Sequence, residues 1–156
     1  MFLNLKFKQI TMKNIFEQIR EDHETQRALI KDLMETSGHT QARKDLYNQL
    51  KHHLKIHADA EERYFYKPLF RDDLTQDKAR HSVAEHQEIE ELLEKLDDTE
   101  MDNSAWLSTA KKLEERVLHH LAEEEHEVFQ MAGKALESSE KTKLGKSYRE
   151  MMEETA

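Results

Sequence analysis

Two stretches of the chain carry the same pair of metal-capable side chains at the same spacing. His57 precedes Glu61 by four residues in "HADAEE", and His120 precedes Glu124 by four in "HHLAEEEHEVF". Residues four apart on a helix share a face, about one turn from each other. Each pair therefore offers one imidazole and one carboxylate to the same space. Those donor types suit first-row metals such as iron, manganese or zinc. Two more histidines, His23 and His86, stand in related contexts, because "DHETQRALIKDL" overlays "EHQEIEELLEKL".

The overlay extends along the chain. His23 lies 63 residues before His86, and the same 63 residues separate His57 from His120 and Glu61 from Glu124. At that shift Glu62 falls on Glu125, Leu29 on Leu92, Leu33 on Leu96 and Leu50 on Leu113. Two histidines and a glutamate aligning at helical spacing without a gap indicate an internal duplication. Each half reads as an αα-hairpin, with one histidine on its first helix and a His-x-x-x-Glu pair on its second.

Six such groups converging in a core would destabilise a fold. A buried ionised carboxylate without a partner costs several kcal/mol or more. A bound cation removes that cost. Two glutamates approaching from opposite hairpins can each bridge two metal ions, with the histidines in outer positions. The expected centre is dinuclear, with metals ~3.5–4 Å apart. Six protein ligands leave positions open for water, oxo, hydroxide or a small molecule.

The elements that must position these residues follow from the apolar spacing. A first helix is predicted over residues 13–35, with Phe16, Ile19, His23, Ile30 and Leu33 on one face. "SGHT" breaks the pattern. A second helix is predicted over 41–66, carrying Leu46, Leu50, Leu54, His57 and Glu61, and stopping near Pro68. A third runs over 75–96, marked by Ile89, Leu93 and Leu96. "DDTEMDNS" follows, with Ser104 as the expected N-cap. A fourth runs over 105–132, with Leu113, Val117, His120, Glu124 and Val128 on one side and Gly133 as the expected stop. Residues 139–153 could form a short final amphipathic helix.

His23 lies about fifteen residues before the turn near Gly38, and His57 about nineteen after it, so at ~1.5 Å per residue they reach similar heights. His86 and His120 stand in nearly the same relation. Packing the two hairpins through their apolar stripes brings four imidazoles and two carboxylates to one level of an all-α four-helix bundle. The expected organisation is a poorly ordered lead-in over 1–12, the bundle over 13–132, and a partly helical C-terminal extension over 133–156.

Composition narrows the function classes. The chain has 156 residues, with 37% hydrophobic and 37% charged. That mix suits narrow apolar stripes on solvated helices within one domain. Three Gly and one Pro argue against a turn-rich sheet fold. Without Cys, disulfides, iron–sulfur clusters and thiolate zinc sites are excluded. The net charge of −9 repels phosphate backbones, so nucleic acid is not an expected partner. No apolar run approaches the ~20 residues that span a bilayer. The start, "MFLNLKFKQITMK", does not read as a signal peptide. A cytoplasmic protein without membrane partners is expected.

The motif set resembles the hemerythrin-like, or HHE cation-binding, domain family. The matching residues are His23 in "EDHE", His57 and Glu61 in "HADAEE" before "YFYKPL", His86 in "AEHQEIEELL", and His120 and Glu124 in "HHLAEEEHEVF". The resemblance covers roughly residues 13–132. It implies an up-down-up-down bundle around a non-haem di-iron centre. By that similarity His23, His57, His86 and His120 are terminal iron ligands, and Glu61 and Glu124 bridge the two ions with an oxo or hydroxo group. The oxygen-carrying members place a second histidine four residues before the third-helix ligand. Here that position is Ser82, and His81 points about 140° away from His86. The departure shifts the expectation from reversible oxygen carriage toward reaction with oxygen, peroxide or nitric oxide.

Other residues carry secondary readings. His53, four before His57, is a candidate seventh ligand or a donor to a bridging carboxylate, although its repeat counterpart is Arg116. Glu62 and Glu125 read as surface glutamates, and contact with the centre is left open. Tyr64 and Tyr66 read as packing residues, with a hydrogen bond to a bound ligand as the alternative. Trp106 reads as a core anchor, and His39, His52, His119 and His126 as solvent-facing. The expected function is metal binding coupled to a small diatomic ligand or peroxide, in sensing, detoxification or storage. Enzymatic activity is not assigned beyond weak peroxide- or NO-directed redox chemistry at the metal. The alternative is an iron donor for damaged iron–sulfur or di-iron centres, and a third reading is an interaction bundle without metal. Oligomeric state is open.

Overall fold

The computed structural model describes residues 12–155, so all of the expected lead-in over 1–12 except Met12 lies outside them. The described residues are all-helical, with no strand among them. Helix α1 spans Ile15–Met34 and starts at a capping box. The Asn14 side chain accepts from the Glu17 amide at 3.0 Å, and the Asn14 amide donates to the Glu17 carboxylate at 3.4 Å. Gly38, at φ 59°, turns the chain where a side chain would be strained. Helix α2 spans Gln41–Glu61, with the Thr40 hydroxyl accepting from the Arg43 amide.

The second helix then changes its winding. Glu62–Tyr66 is a π-helical turn, closed by the Lys67 amide bonding to the Glu62 carbonyl five residues back. Helix α3, Lys67–Leu69, continues past Pro68 for one residue. The missing N–H of Pro68 falls just after the bonding pattern has already shifted, so the ring interrupts little. Helix α4 spans Gln76–Asp97 and α5 spans Ser104–Glu123. The cap of α5 is Asn103, whose side chain accepts from the Ala105 amide, so Ser104 is its first helical residue instead of its cap. A second π-helical turn, Glu124–Val128, leads into α6, Phe129–Ala135. Gly133 lies inside α6 and does not stop it, and the break comes at the extended Leu136.

Two apolar clusters flank the predicted ligands. One holds Ile15, Ile19, Phe65, Tyr66, Ala79, Val128 and Phe129 among others. The other holds Ile30, Leu33, Leu54, Ile89, Leu93, Trp106 and Val117 among others. α1 runs from the first cluster through His23 to the second, and the segment from α2 returns through His57 and Glu61. α4 and α5 repeat the sequence through His86 and then His120 and Glu124. A polar layer is thus held between two hydrophobic ones. Trp106 is 1% exposed in the second cluster, as its core reading requires.

The last helix is longer than the sequence pattern indicates. Helix α7 spans Ser138–Thr155 and lies against α1 and α2. It contributes Tyr148 and Met152 to the first cluster. Gly145 permits the approach, because a Cβ there would sit 2.7 Å from the Asn14 carbonyl carbon and the Ile15 nitrogen. Arg149 fixes the register by donating to the Gln18 side chain at 2.7 Å and to its carbonyl at 3.0 Å.

Candidate metal centre

All six predicted ligand residues meet in the polar layer. His23, Glu61 and Glu124 have no solvent exposure, and His57, His86 and His120 are also buried. They form two groups of four that share both carboxylates. His23, His57, Glu61 and Glu124 make one, and His86, His120, Glu61 and Glu124 the other. Within each group the donor atoms lie within 4.8 Å of one another.

The ring orientations reveal what the layer is built for. Every histidine turns Nε2 inward. His57 Nε2 lies 3.1 Å from Glu61 Oε2, and His86 Nε2 lies 2.9 Å from Glu61 Oε1. His23 Nε2 lies 3.0 Å from Glu124 Oε1, and His120 Nε2 lies 3.4 Å from Glu124 Oε2. The Nε2 atoms of His86 and His120 face each other at 3.1 Å. His23 Nε2, His57 Nε2, both Glu61 oxygens and Glu124 Oε1 are buried without hydrogen-bond partners. Buried polar atoms crowded together without well-aligned hydrogen bonds are costly even when their charges offset. Five of them converging is a donor set that fits a cation.

Each ring is gripped from behind at Nδ1, which sets its orientation and leaves Nε2 free to ligate. His23 Nδ1 meets Glu125 at 3.0 Å, and His86 Nδ1 meets Glu62 at 3.3 Å. The two arrangements are repeat equivalents, each crossing to the other half. Glu62 keeps 37% and Glu125 17% of its side chain exposed, yet each also contacts the back of a predicted ligand imidazole, the alternative the sequence left open. Arg27 adds a two-pronged grip on Glu125, at 3.2 and 2.7 Å.

The other two histidines break the symmetry. His120 Nδ1 meets Glu85 directly at 3.0 Å. The equivalent of Glu85 is Asp22, one methylene shorter, and it stays 3.9 Å from His57 Nδ1. Tyr148 of α7 fills that gap. Its hydroxyl lies 2.6 Å from His57 Nδ1 and donates to Asp22. Arg149 steadies Asp22 at 3.1 Å. No sequence signal pointed to Tyr148, which reaches His57 across 91 residues. Glu85 and Asp22 could have been found, because the 63-residue overlay pairs them beside His86 and His23.

Tyr66 also does more than fill space. Its buried hydroxyl donates to Glu124 and so orients a shared carboxylate. Tyr64 is partly buried against the first cluster, as a packing residue would be. His53 is not in either donor group. Its ring stacks on His57 at 6.0 Å between centroids, and burial together with the nearby His57 pushes it down to about 4. His39, His52, His119 and His126 are exposed, and His81 lies at the surface between Glu85 and Glu123.

Charge balance follows from the same contacts. Burial opposes a charge on His57, but Glu61 and Asp22 outweigh it and push the ring up to about 10. His120 is likewise pushed up to about 10 against its burial, by Glu61 and Glu85. Glu61 is held well below the usual carboxylate range despite burial, because His57, His120 and His86 face it. Glu124 moves up through burial and the neighbouring Glu61 charge. Protons on the imidazoles thus offset the two carboxylates where no metal does. Metal binding must displace them.

The family model of the hemerythrin HHE cation binding domain matches residues 14–132. The chain belongs to that family. Among solved structures, a hemerythrin HHE cation binding domain-containing protein from Mycobacterium kansasii is similar, with a TM-score of 0.84. The likeness covers 92% of this chain and 88% of that one at 21% identity, which speaks for a shared fold. No curated protein matches the sequence. The family match carries cation binding, and the buried histidine and glutamate groups are where this hemerythrin-type chain could hold its metal. None of the described helices is long and apolar enough to cross a membrane.

A cavity of about 450 Å³ opens beside the centre between α2 and α4. His57, His86 and His120 line it on the side of the centre, and Leu54, Val83, Ile89 and Leu93 line it together with the charged Lys55, Asp59, Glu62, Arg80 and Glu90. Small molecules therefore have a route to three of the four histidines.

Proposed function

We propose that the protein binds two non-haem metal ions, iron foremost, and uses them to engage a small diatomic ligand or peroxide in sensing, detoxification or storage. The observation that carries this reading is the pair of four-donor groups sharing Glu61 and Glu124, with every imidazole anchored at Nδ1 and turning Nε2 toward those carboxylates. His23 and His57 would hold one ion, and His86 and His120 the other. Glu61 and Glu124 would bridge them. Such a pair of ions, when bound, supplies Lewis acidity and one-electron chemistry toward oxygen-derived ligands. We read the architecture as an up-down-up-down four-helix bundle, supported by the alternating order in which α1, α2, α4 and α5 pass through the two clusters.

The chain's own residues do the rest. Glu62, Glu85, Glu125 and the Tyr148–Asp22 pair fix the imidazole rotamers. Tyr66 holds Glu124. The two apolar clusters close the layer above and below, and the cavity between α2 and α4 reaches it from the side. Burial of all six donors favours a resident metal over one handed to an acceptor. Manganese and zinc suit the same donors, so metal identity is part of the test. Protein purified aerobically without chelator is expected to carry close to two equivalents of one transition metal by elemental analysis. Less than about half an equivalent of any such metal would overturn the reading. With iron bound, absorption in the near-ultraviolet and visible range should change on adding peroxide or nitric oxide.

A further inference from the structure

Beside the histidines, the cavity is bordered by a buried amide that the protein leaves unused. Gln26 lies three residues after His23 on α1, one turn along the same face. It is 1% exposed, it lines the cavity, and its Nε2 has no hydrogen-bond partner. The duplication shows what packing alone would choose. The 63-residue shift places Gln26 on Ile89, and Ile89 lines the same cavity as part of its apolar wall. One half of the molecule thus keeps an aliphatic side chain where the other buries an amide. Leaving a buried amide unpaired is costly, so a structural role does not account for it.

We propose that Gln26 is the donor that holds the outer atom of a small ligand bound at the metal centre. The cavity would then select ligands with an acceptor atom beyond the one that coordinates, such as hydroperoxide or a linear anion. The inference rests on the metal-binding reading and adds the ligand class and the residue that chooses it. The geometry separates the two tasks. His57, His86 and His120 border the cavity at the metal end, and Gln26 borders it from α1. Gln26 itself is 1% exposed, and a hydrogen bond made by so buried an amide is stronger than one in water. Sites that hydrogen-bond a ligand discriminate against ligands lacking the acceptor.

The test compares the iron-loaded protein with Gln26→Ile, which copies the repeat equivalent, and with Gln26→Met, which keeps the side-chain length. Azide is the probe. Three quantities are measured: iron per chain, the azide Kd from an absorption titration, and the melting temperature of the metal-free protein. Iron content should stay at two. Azide binding should weaken roughly tenfold in both variants, the effect of one lost hydrogen bond to a buried donor. The metal-free melting temperature should hold or rise, since an unpaired amide has been removed. A structural Gln26 would lower it instead. Equal azide affinity in parent and variants, with two irons in each, overturns this inference and leaves the metal reading intact. A parent without metal overturns both. If neither variant folds, the amide is structural and the inference is wrong.

Discussion

Tyr148→Phe isolates the asymmetry between the two halves. Tyr148 is fully buried, and Phe fills the same ring volume, so only the hydroxyl is lost. His57 Nδ1 then faces Asp22 at 3.9 Å, too far for a hydrogen bond. A buried ring nitrogen without a partner costs about 1–3 kcal/mol. Losing the group behind a metal-ligating histidine typically weakens metal affinity by ~10–100-fold. The effect should fall on one of two equivalents, because Tyr148 grips His57 alone among the four rings. Adding Asp22→Glu to this variant supplies the missing methylene, about 1.5 Å of reach. The longer carboxylate can then close on His57 much as Glu85 closes on His120 at 3.0 Å. The assay is a chelator competition that resolves the two metal equivalents, with the absorption spectrum recorded alongside. The single variant should show one tight and one weakened equivalent, and the double variant should return within a few-fold of the parent. Two parent-like affinities in the single variant would refute the reasoning. So would a double variant as weak as the single one.

Four other outcomes follow from the same geometry. Gly145→Ala should lower the melting temperature, although Ala is the better helix former by roughly 1 kcal/mol, because backbone of residues 13–15 lies 2.7–2.8 Å from the new Cβ; a higher melting temperature would mean that α7 is not seated as described. His57→Ala and His120→Ala should each leave about one metal equivalent, with the first emptying the His23 side and the second the His86 side, as elemental analysis would read. Chelation should lower the melting temperature by an amount that grows with the free metal concentration of the control, near 2.7 kcal/mol of stability at ~100 times Kd. Asp97 has its carboxyl held below the usual range, against burial, by Lys51 at 2.5 Å and Tyr47 at 2.7 Å. Its depressed value contributes stability above the ordinary aspartate pKa that is lost as pH falls through the folded one. Asp97→Asn should therefore flatten the acid side of the stability profile, followed by thermal melts from pH 7 to 3.

Much of this molecule was readable along the chain because its decisive geometry is local. A histidine and a glutamate four apart share a helix face wherever the helix lies. The 63-residue duplication then places four histidines and two glutamates on matching faces without any coordinates, and their meeting in one buried layer follows from burying the adjacent leucines. Caps and stops were less legible. Asn103 and Ser104 are both able to cap, and Gly133 stays helical, the chain leaving α6 only at the extended Leu136.

The groups behind the ligands belong to another level of determination. Glu62, one residue past the shared Glu61, reads as surface-bound along the chain, and only the packing of α4 brings His86 within 3.3 Å of it. Tyr148 meets His57 only because Gly145 lets α7 settle onto α1 and because Asp22 is one methylene short. Gln26 is notable only once a cavity with no partner for it exists. Helical spacing sets which side chains share a face, and so it determined the donor set. Contacts between distant segments depend on how closely helices approach and on gaps of a single carbon, so beyond the repeat pair Asp22 and Glu85, packing decided what grips each donor and what a bound ligand would touch.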